Sequence, residues 1–196
     1  MKIKQLKFAC YTANISMSIV GNLPPLLFLT FHSLYGISYS LLGLLVLANF
    51  ITQLGIDLAF SFFSHRFNIP KVVRFMPVLT LTGFLIYAVW PILFPQNVYI
   101  GLAIGTIIFS SSAGLSEVLI SPIIAAIPSD DPDREMSKLH SVYAWGAVAV
   151  VILSTAFLLL FGTVNWQWLA ILFMIVPLTS VILFSSAQIK VKEGAY

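Results

Sequence analysis

The sequence predicts an all-α membrane protein of six transmembrane helices, and three observations carry that prediction. The 196 residues are 59% hydrophobic and only 9% charged, with a mean hydropathy of +0.99, whereas soluble domains carry about 25% charged residues. Ten Lys/Arg and seven Asp/Glu cannot hydrate the surface of so apolar a chain, so lipid has to serve as its solvent. Six segments reach the roughly 20 apolar residues that a helix rising about 1.5 Å per residue needs to cross a hydrocarbon core about 30 Å thick. All ten basic residues fall at the chain ends or in every second connection, a charge pattern that only an even number of crossings keeps on one side.

The segments are Ala9 to Phe31, Ile37 to Phe60, Val72 to Phe94, Val98 to Ile127, Met136 to Phe161 and Trp166 to Ala187, forming one bundle across residues 1–196. The first follows Lys2, Lys4 and Lys7 and is a retained helix. It is too long for a signal peptide, contains Asn14, Asn22 and the Pro24-Pro25 pair, and lacks a small-residue cleavage site. Asn14, Ser18 and Gly21 share one face at helical spacing, with Asn22 at its edge, and the prolines free backbone carbonyls in the preceding turn. In the second segment Leu41 to Ala48 is apolar on every side, which excludes the alternating pattern of a membrane β-barrel. Asn49, Gln53 and Asp57 then form a polar seam toward the basic loop that holds Arg66, Lys71 and Arg74. Asp57 is placed to pair with one of these cations and act as a gate.

The fourth segment carries the deepest charge in the chain. Ser110, Gly114, Glu117 and Ser121 recur at spacings of four, three and four, which sets them on one helix face. An ionised side chain near the bilayer centre costs on the order of 2.5 to 3.5 kcal/mol even on gentle insertion scales. Glu117 is therefore the first candidate for solute contact or proton coupling; the structural alternative is a protonated acid that hydrogen-bonds a neighbouring helix. Ser121-Pro122 follows that stripe, so the first and fourth segments are both polar and proline-interrupted, the pattern of a site built by inverted repeats. In the loop Pro128 to Glu135, Asp131 reads as a helix cap, Pro132 as a first-turn residue and the other acids as dipole partners. Tyr143 and Trp145 on the fifth segment are placed to wall a solute, and His140 near its start reads as a bond between helix ends before it reads as a ligand. Trp90, Tyr99, Trp166 and Trp168 mark the outer boundary.

Composition also excludes other classes. Disorder needs low hydrophobicity; Cys10 has no disulfide partner; a net charge of +3 in separated clusters makes no basic face for nucleic acid. No HExxH, GxSG or second acidic cluster for a magnesium-diphosphate site is present, so the chain reads as no enzyme, with no metal and no cofactor. The basic residues include Arg134, Lys138, Lys190 and Lys192, and the intervening connections His32 to Gly36, Phe94 to Asn97 and Gly162 to Asn165 hold none. The positive-inside rule then predicts a multi-pass cell-membrane protein with both termini cytoplasmic.

Three stretches resemble the N-terminal half of a major facilitator superfamily transporter: Asn49 to Arg74, Gly114 to Pro128 and Leu139 to Val148. The last two look similar to the fucose and hexose permease-like branch, where an acid precedes a proline in helix 4 and helix 5 opens with an Asn/His and aromatic-Gly pattern. The family loop GxxxDRxGR(R/K) is read here by Ser61, His65, Arg66, Asn68, Ile69 and Pro70, with Lys71 beyond and Arg66 as the direct match. The resemblance implies a 3+3 inverted-repeat bundle with N-in/C-in topology, and secondary active transport of a small polar solute by alternating access, with proton coupling as an option; the lack of a deep Arg or Lys to hold an anion favours a neutral, sugar-like solute. It puts Glu117 in the place of a membrane acid that couples protons or binds solute; with the faces read above, the candidate solute or proton contacts are Glu117, Asn14, Ser18, Asn22, Ser121, Tyr143 and Trp145, and the candidate cytoplasmic gate is Asp57, Arg66, Lys71 and Arg74. It further implies a partner, a second six-helix bundle supplied by a missing C-terminal half or by a homodimer, and a chain that is a fragment, a truncated product or a half-transporter. The alternative is a non-transporting membrane scaffold or remnant in which Glu117 only joins helices.

Overall fold

A computed structural model describes residues 2–187 and is helical throughout, with no strand among the described residues. Lys190 and Lys192, which entered the charge argument, lie outside the described residues. The helices are α1 (Lys2–Leu26), α2 (Phe28–Tyr35), α3 (Tyr39–Phe63), α4 (Ile69–Leu93), α5 (Val98–Ala125), α6 (Pro132–Phe161), α7 (Trp166–Phe173) and α8 (Ile175–Ser186). Five spans are long and apolar enough to cross a bilayer, and α1 with α2, bent by 43° at their break, passes the same test only when the two are taken together. The chain thus has the build of a multi-pass membrane protein.

Local chemistry explains each boundary. The first predicted segment is two helices because Pro24 and Pro25 lack the amides that would continue the ladder; Leu27 closes a tighter turn onto the Pro24 carbonyl at 3.0 Å. Gly36, at φ +66°, ends α2. Side chains of Ser38, Asn68 and Asp131 accept from the amides of Leu41, Lys71 and Arg134 and start α3, α4 and α6. Asp131 and Pro132 hold the cap and first-turn positions expected of them, with Asp133 and Glu135 behind. The sixth segment is also broken, at Met174, three residues before Pro177.

The segments alternate in direction. Gln5 donates to the Leu183 carbonyl and the Ser186 hydroxyl, and Arg74 to the carbonyls of Phe184 and Ala187, so the starts of α1 and α4 meet the end of α8. At the opposite end Tyr99 reaches the Leu41 carbonyl and Trp166 reaches Tyr35. Trp166 is fully buried there, in an aromatic cluster with Phe31 and Tyr87, whereas Trp168 is exposed. At the α4–α5 crossing a Cβ at Gly83 would stand 2.9 Å from the Gly105 carbonyl, and one at Gly105 2.8 Å from the Gly83 carbonyl. Small residues permit such close approach of membrane helices. Helix α5 is central, with 61% of its apolar window buried, against 11% for α3 and 17% for α6. Those two helices turn Phe50, Leu54, Leu159 and Leu160 outward, a cost in water and the resting state in lipid.

Candidate functional site

Four helices enclose one polar cleft. Helix α1 contributes Asn14 and Gly21, α3 contributes Gln53, α5 contributes Ser116, Glu117 and Ser121, and α6 contributes His140 and Tyr143, around a cavity of about 380 Å³. Met17, Ala113, Ile120 and Leu139 complete its wall. A smaller cavity of about 170 Å³ shares Gly21 and continues along the Pro24-Pro25 break toward Asn49 and Thr106. A groove of about 420 Å³ at the far end, between Tyr35, Gln96 and Tyr99, contains no acid, base or histidine.

The register of α3 on α5 builds the acidic wall. These helices run in the same direction. Ser110 donates to Asn49 Oδ1, and Gly114 lies against the Gln53 backbone, where a Cβ would stand 3.2 Å from its carbonyl oxygen. One turn further along each helix come Glu117 and Asp57, near enough for their charges to act on one another. Glu117 is solvent-accessible and makes no hydrogen bond or ion pair among the described residues.

Helix α6 closes the other wall through α1. Asn14 Nδ2 donates to the Leu139 carbonyl at 2.7 Å and the Ser18 hydroxyl to the Tyr143 carbonyl at 2.8 Å. Gly146 admits this contact, because a Cβ there would stand 2.9 Å from Ser18 Oγ. Lys7 and Lys138 both pair with Glu135 at 3.0 Å, and Tyr11 donates to the same carboxylate at 3.2 Å, which clamps the start of α1 to the start of α6.

Of the residues singled out from the sequence, Asn14, Glu117, Ser121 and Tyr143 converge on the cleft. Ser18 is buried in the α1–α6 contact, and Asn22 donates back to the Ser18 carbonyl at 2.8 Å without lining the cavity. Trp145 is 73% exposed on α6 and is not among the residues that line the cleft. The expected cytoplasmic gate is not assembled: Asp57 pairs with none of Arg66, Lys71 or Arg74 among the described residues. Arg66 instead lies over the Phe63 ring at 5.4 Å, and Arg74 caps the last carbonyls of α8. His140 lines the cleft, and its side chain makes no hydrogen bond to another helix among the described residues. Ser116 was not singled out; it follows Ser112 by four residues and donates to its carbonyl at 2.9 Å, a spacing visible in the sequence. No group of three metal-capable side chains gathers among the described residues.

Fold and site together define a helical membrane bundle with an acid-bearing polar cleft between its first, second, fourth and fifth segments. No family model matches the chain, and neither does any curated protein or solved structure.

Proposed function

We propose that this bundle is one half of a secondary transporter of the major facilitator type, moving a small polar solute by alternating access against a second six-helix bundle in the cell membrane. The observation that carries the reading is Glu117: an acid on an apolar spanning helix, without a partner among the described residues and lining the polar cleft. Acids in membrane helices are costly and tend to mark solute or ion pathways. If Glu117 merely joined helices, it would be hydrogen-bonded to a neighbour as Asn14, Ser18 and Ser110 are. The weakly embedded α3 and α6 flank the cleft and supply apolar faces for the opposing bundle, whether it lies further along a longer chain or in a second copy. Both termini are then cytoplasmic, by the clustering of basic residues at that end.

Glu117 also gives a place for a coupled proton. The titratable groups around it are Asp57 on α3 and His140 and Tyr143 on α6; α1 presents only Asn14, Met17 and Gly21. The test is solute-evoked proton flux into dye-loaded proteoliposomes, using a panel of small sugars, amino acids and amines. Flux is expected only where cross-linking captures paired bundles, and it is lost in Glu117→Gln. Uptake by a demonstrated monomer, or uptake unchanged in Glu117→Gln, overturns the proposal.

A further inference from the structure

Hydrogen-bond accounting in the cleft narrows the ligand. Asn14 spends one amide N–H on the Leu139 carbonyl, and Gln53 spends one on Asn49 Oδ1 at 2.9 Å. Each keeps its amide oxygen, an acceptor, and a second N–H without a partner among the described residues. Glu117 adds two carboxylate oxygens with about four lone-pair sites. Ser116 has spent its proton on the Ser112 carbonyl. The hydroxyls of Ser121 and Tyr143 and the imidazole of His140 take either role. No Lys or Arg lines the cavity.

We infer that the cleft takes a small organic cation bearing N–H donors, an amine rather than a sugar or an anion, with its ammonium group on Glu117 and the free amide oxygens of Asn14 and Gln53. This rests on the transport reading for its biological role, but the binding site stands on the donor and acceptor count. An anion would meet Glu117 with no compensating cation. A polyol would satisfy the acceptors and leave the carboxylate charge unbalanced. An ammonium group does both: it brings only donors and supplies the missing counter-charge, and charge-assisted hydrogen bonds are roughly twice as strong as neutral ones. Met17 and Ile120 supply an apolar wall for the hydrocarbon part. The expectation of a sugar-like solute followed from the lack of a deep Arg or Lys, which excludes anions equally well for a cationic ligand.

The test uses the whole chain in lipid nanodiscs and three probes of one shape: benzylammonium, benzyl alcohol and benzoate, with methyl glucoside as the polyol. Titration calorimetry of the wild-type protein should rank benzylammonium about tenfold or more above every other probe. Equal or tighter binding of benzyl alcohol, benzoate or the glucoside overturns the inference without any variant. Glu117→Gln should erase the preference for the cation. Ser121→Lys, one turn along α5, should pair with Glu117 and shift the preference toward benzoate. A cation preference that survives both changes places the binding elsewhere and also overturns the inference. The two proposals fail separately: glucoside binding with glucoside flux removes the amine and keeps the transporter, whereas benzylammonium bound at Glu117 with no flux from paired bundles removes the transporter and keeps the site.

Discussion

The side-chain amide of Asn14 is held by the backbone carbonyl of Leu139 at 2.7 Å. That bond joins α1 to α6 beside the cleft and leaves Asn14 its carbonyl oxygen and one N–H to offer a ligand. Replacing it with leucine keeps the volume and removes both functions. Asn14→Leu should lower stability by about 0.6 to 2 kcal/mol, the range for interhelical hydrogen bonds in lipid, read from reversible unfolding in mixed micelles. The same variant should weaken benzylammonium binding several-fold while leaving the helical content intact. A variant of full stability would mean that the α1–α6 contact does not depend on this bond.

The α4–α5 crossing makes a contrasting prediction. A Cβ at Gly83 would stand 2.6 Å from the Phe109 amide nitrogen, and backbone cannot step aside as a flexible side chain can. Gly83→Ala should therefore cost about 1 to 3 kcal/mol, the scale of overpacking. At Gly43 nothing lies within 4 Å, and alanine in a helix interior is favoured over glycine by roughly 0.5 to 1 kcal/mol. Gly43→Ala should thus be neutral or stabilising in the same unfolding experiment. Two glycines of one protein moving in opposite directions is the signature to look for; equal effects would contradict the close crossing.

These two sites also show what could be read before any coordinates. Hydrophobic length marked six candidate spans, five of which are helices long and apolar enough to cross a bilayer and one of which is the bent α1–α2 pair, and Asp131 was legible as a cap because its chemistry is local. Helical spacing put Glu117 and Ser121 on one face, and the structure turns that face to the cleft. Spacing along one helix carries no information on which neighbour that face meets. The match of Asn49 to Ser110, which brings Asp57 beside Glu117, therefore emerges only from packing. The same limit applies to Trp145, which lies exposed on α6 outside the lining of the cleft. Gly101 and Gly105 stand four apart in the sequence, a small-residue spacing that could have pointed to the close α4–α5 crossing.

Arg74 and Asp57 test the missing gate. Arg74 donates from Nε to the Phe184 carbonyl at 3.3 Å and from a terminal nitrogen to Ala187 at 3.2 Å. It thus satisfies carbonyls that the end of α8 leaves without helical partners. Arg74→Met should cost about 1 kcal/mol, the usual net worth of a hydrogen bond. Asp57→Asn should be neutral or mildly stabilising, since one carboxylate oxygen is buried without a partner. A double-mutant cycle between the two should give a coupling within about 0.3 to 0.5 kcal/mol of zero. A larger favourable coupling would restore the ion pair that the loop sequence suggested.

Tyr87 offers the sharpest stability test because its ring and its hydroxyl pull in opposite directions. The ring is fully buried and meets Phe31, Phe109 and Trp166 edge-on, at centroid distances of 5.8, 5.5 and 5.9 Å. Such aromatic contacts contribute about 0.5 to 1.5 kcal/mol each beyond area burial. The hydroxyl oxygen is enclosed with no hydrogen-bond partner among the described residues. An unsatisfied buried polar group costs about 1 to 3 kcal/mol. Phenylalanine keeps every ring contact and removes only the oxygen, so Tyr87→Phe should raise stability by about 1 kcal/mol or more. Tyr87→Ala should lose about 3 to 5 kcal/mol, the range for deleting a buried aromatic. If phenylalanine instead destabilises the bundle, the hydroxyl has a partner, and the natural place to seek it is a water held among the aromatic rings.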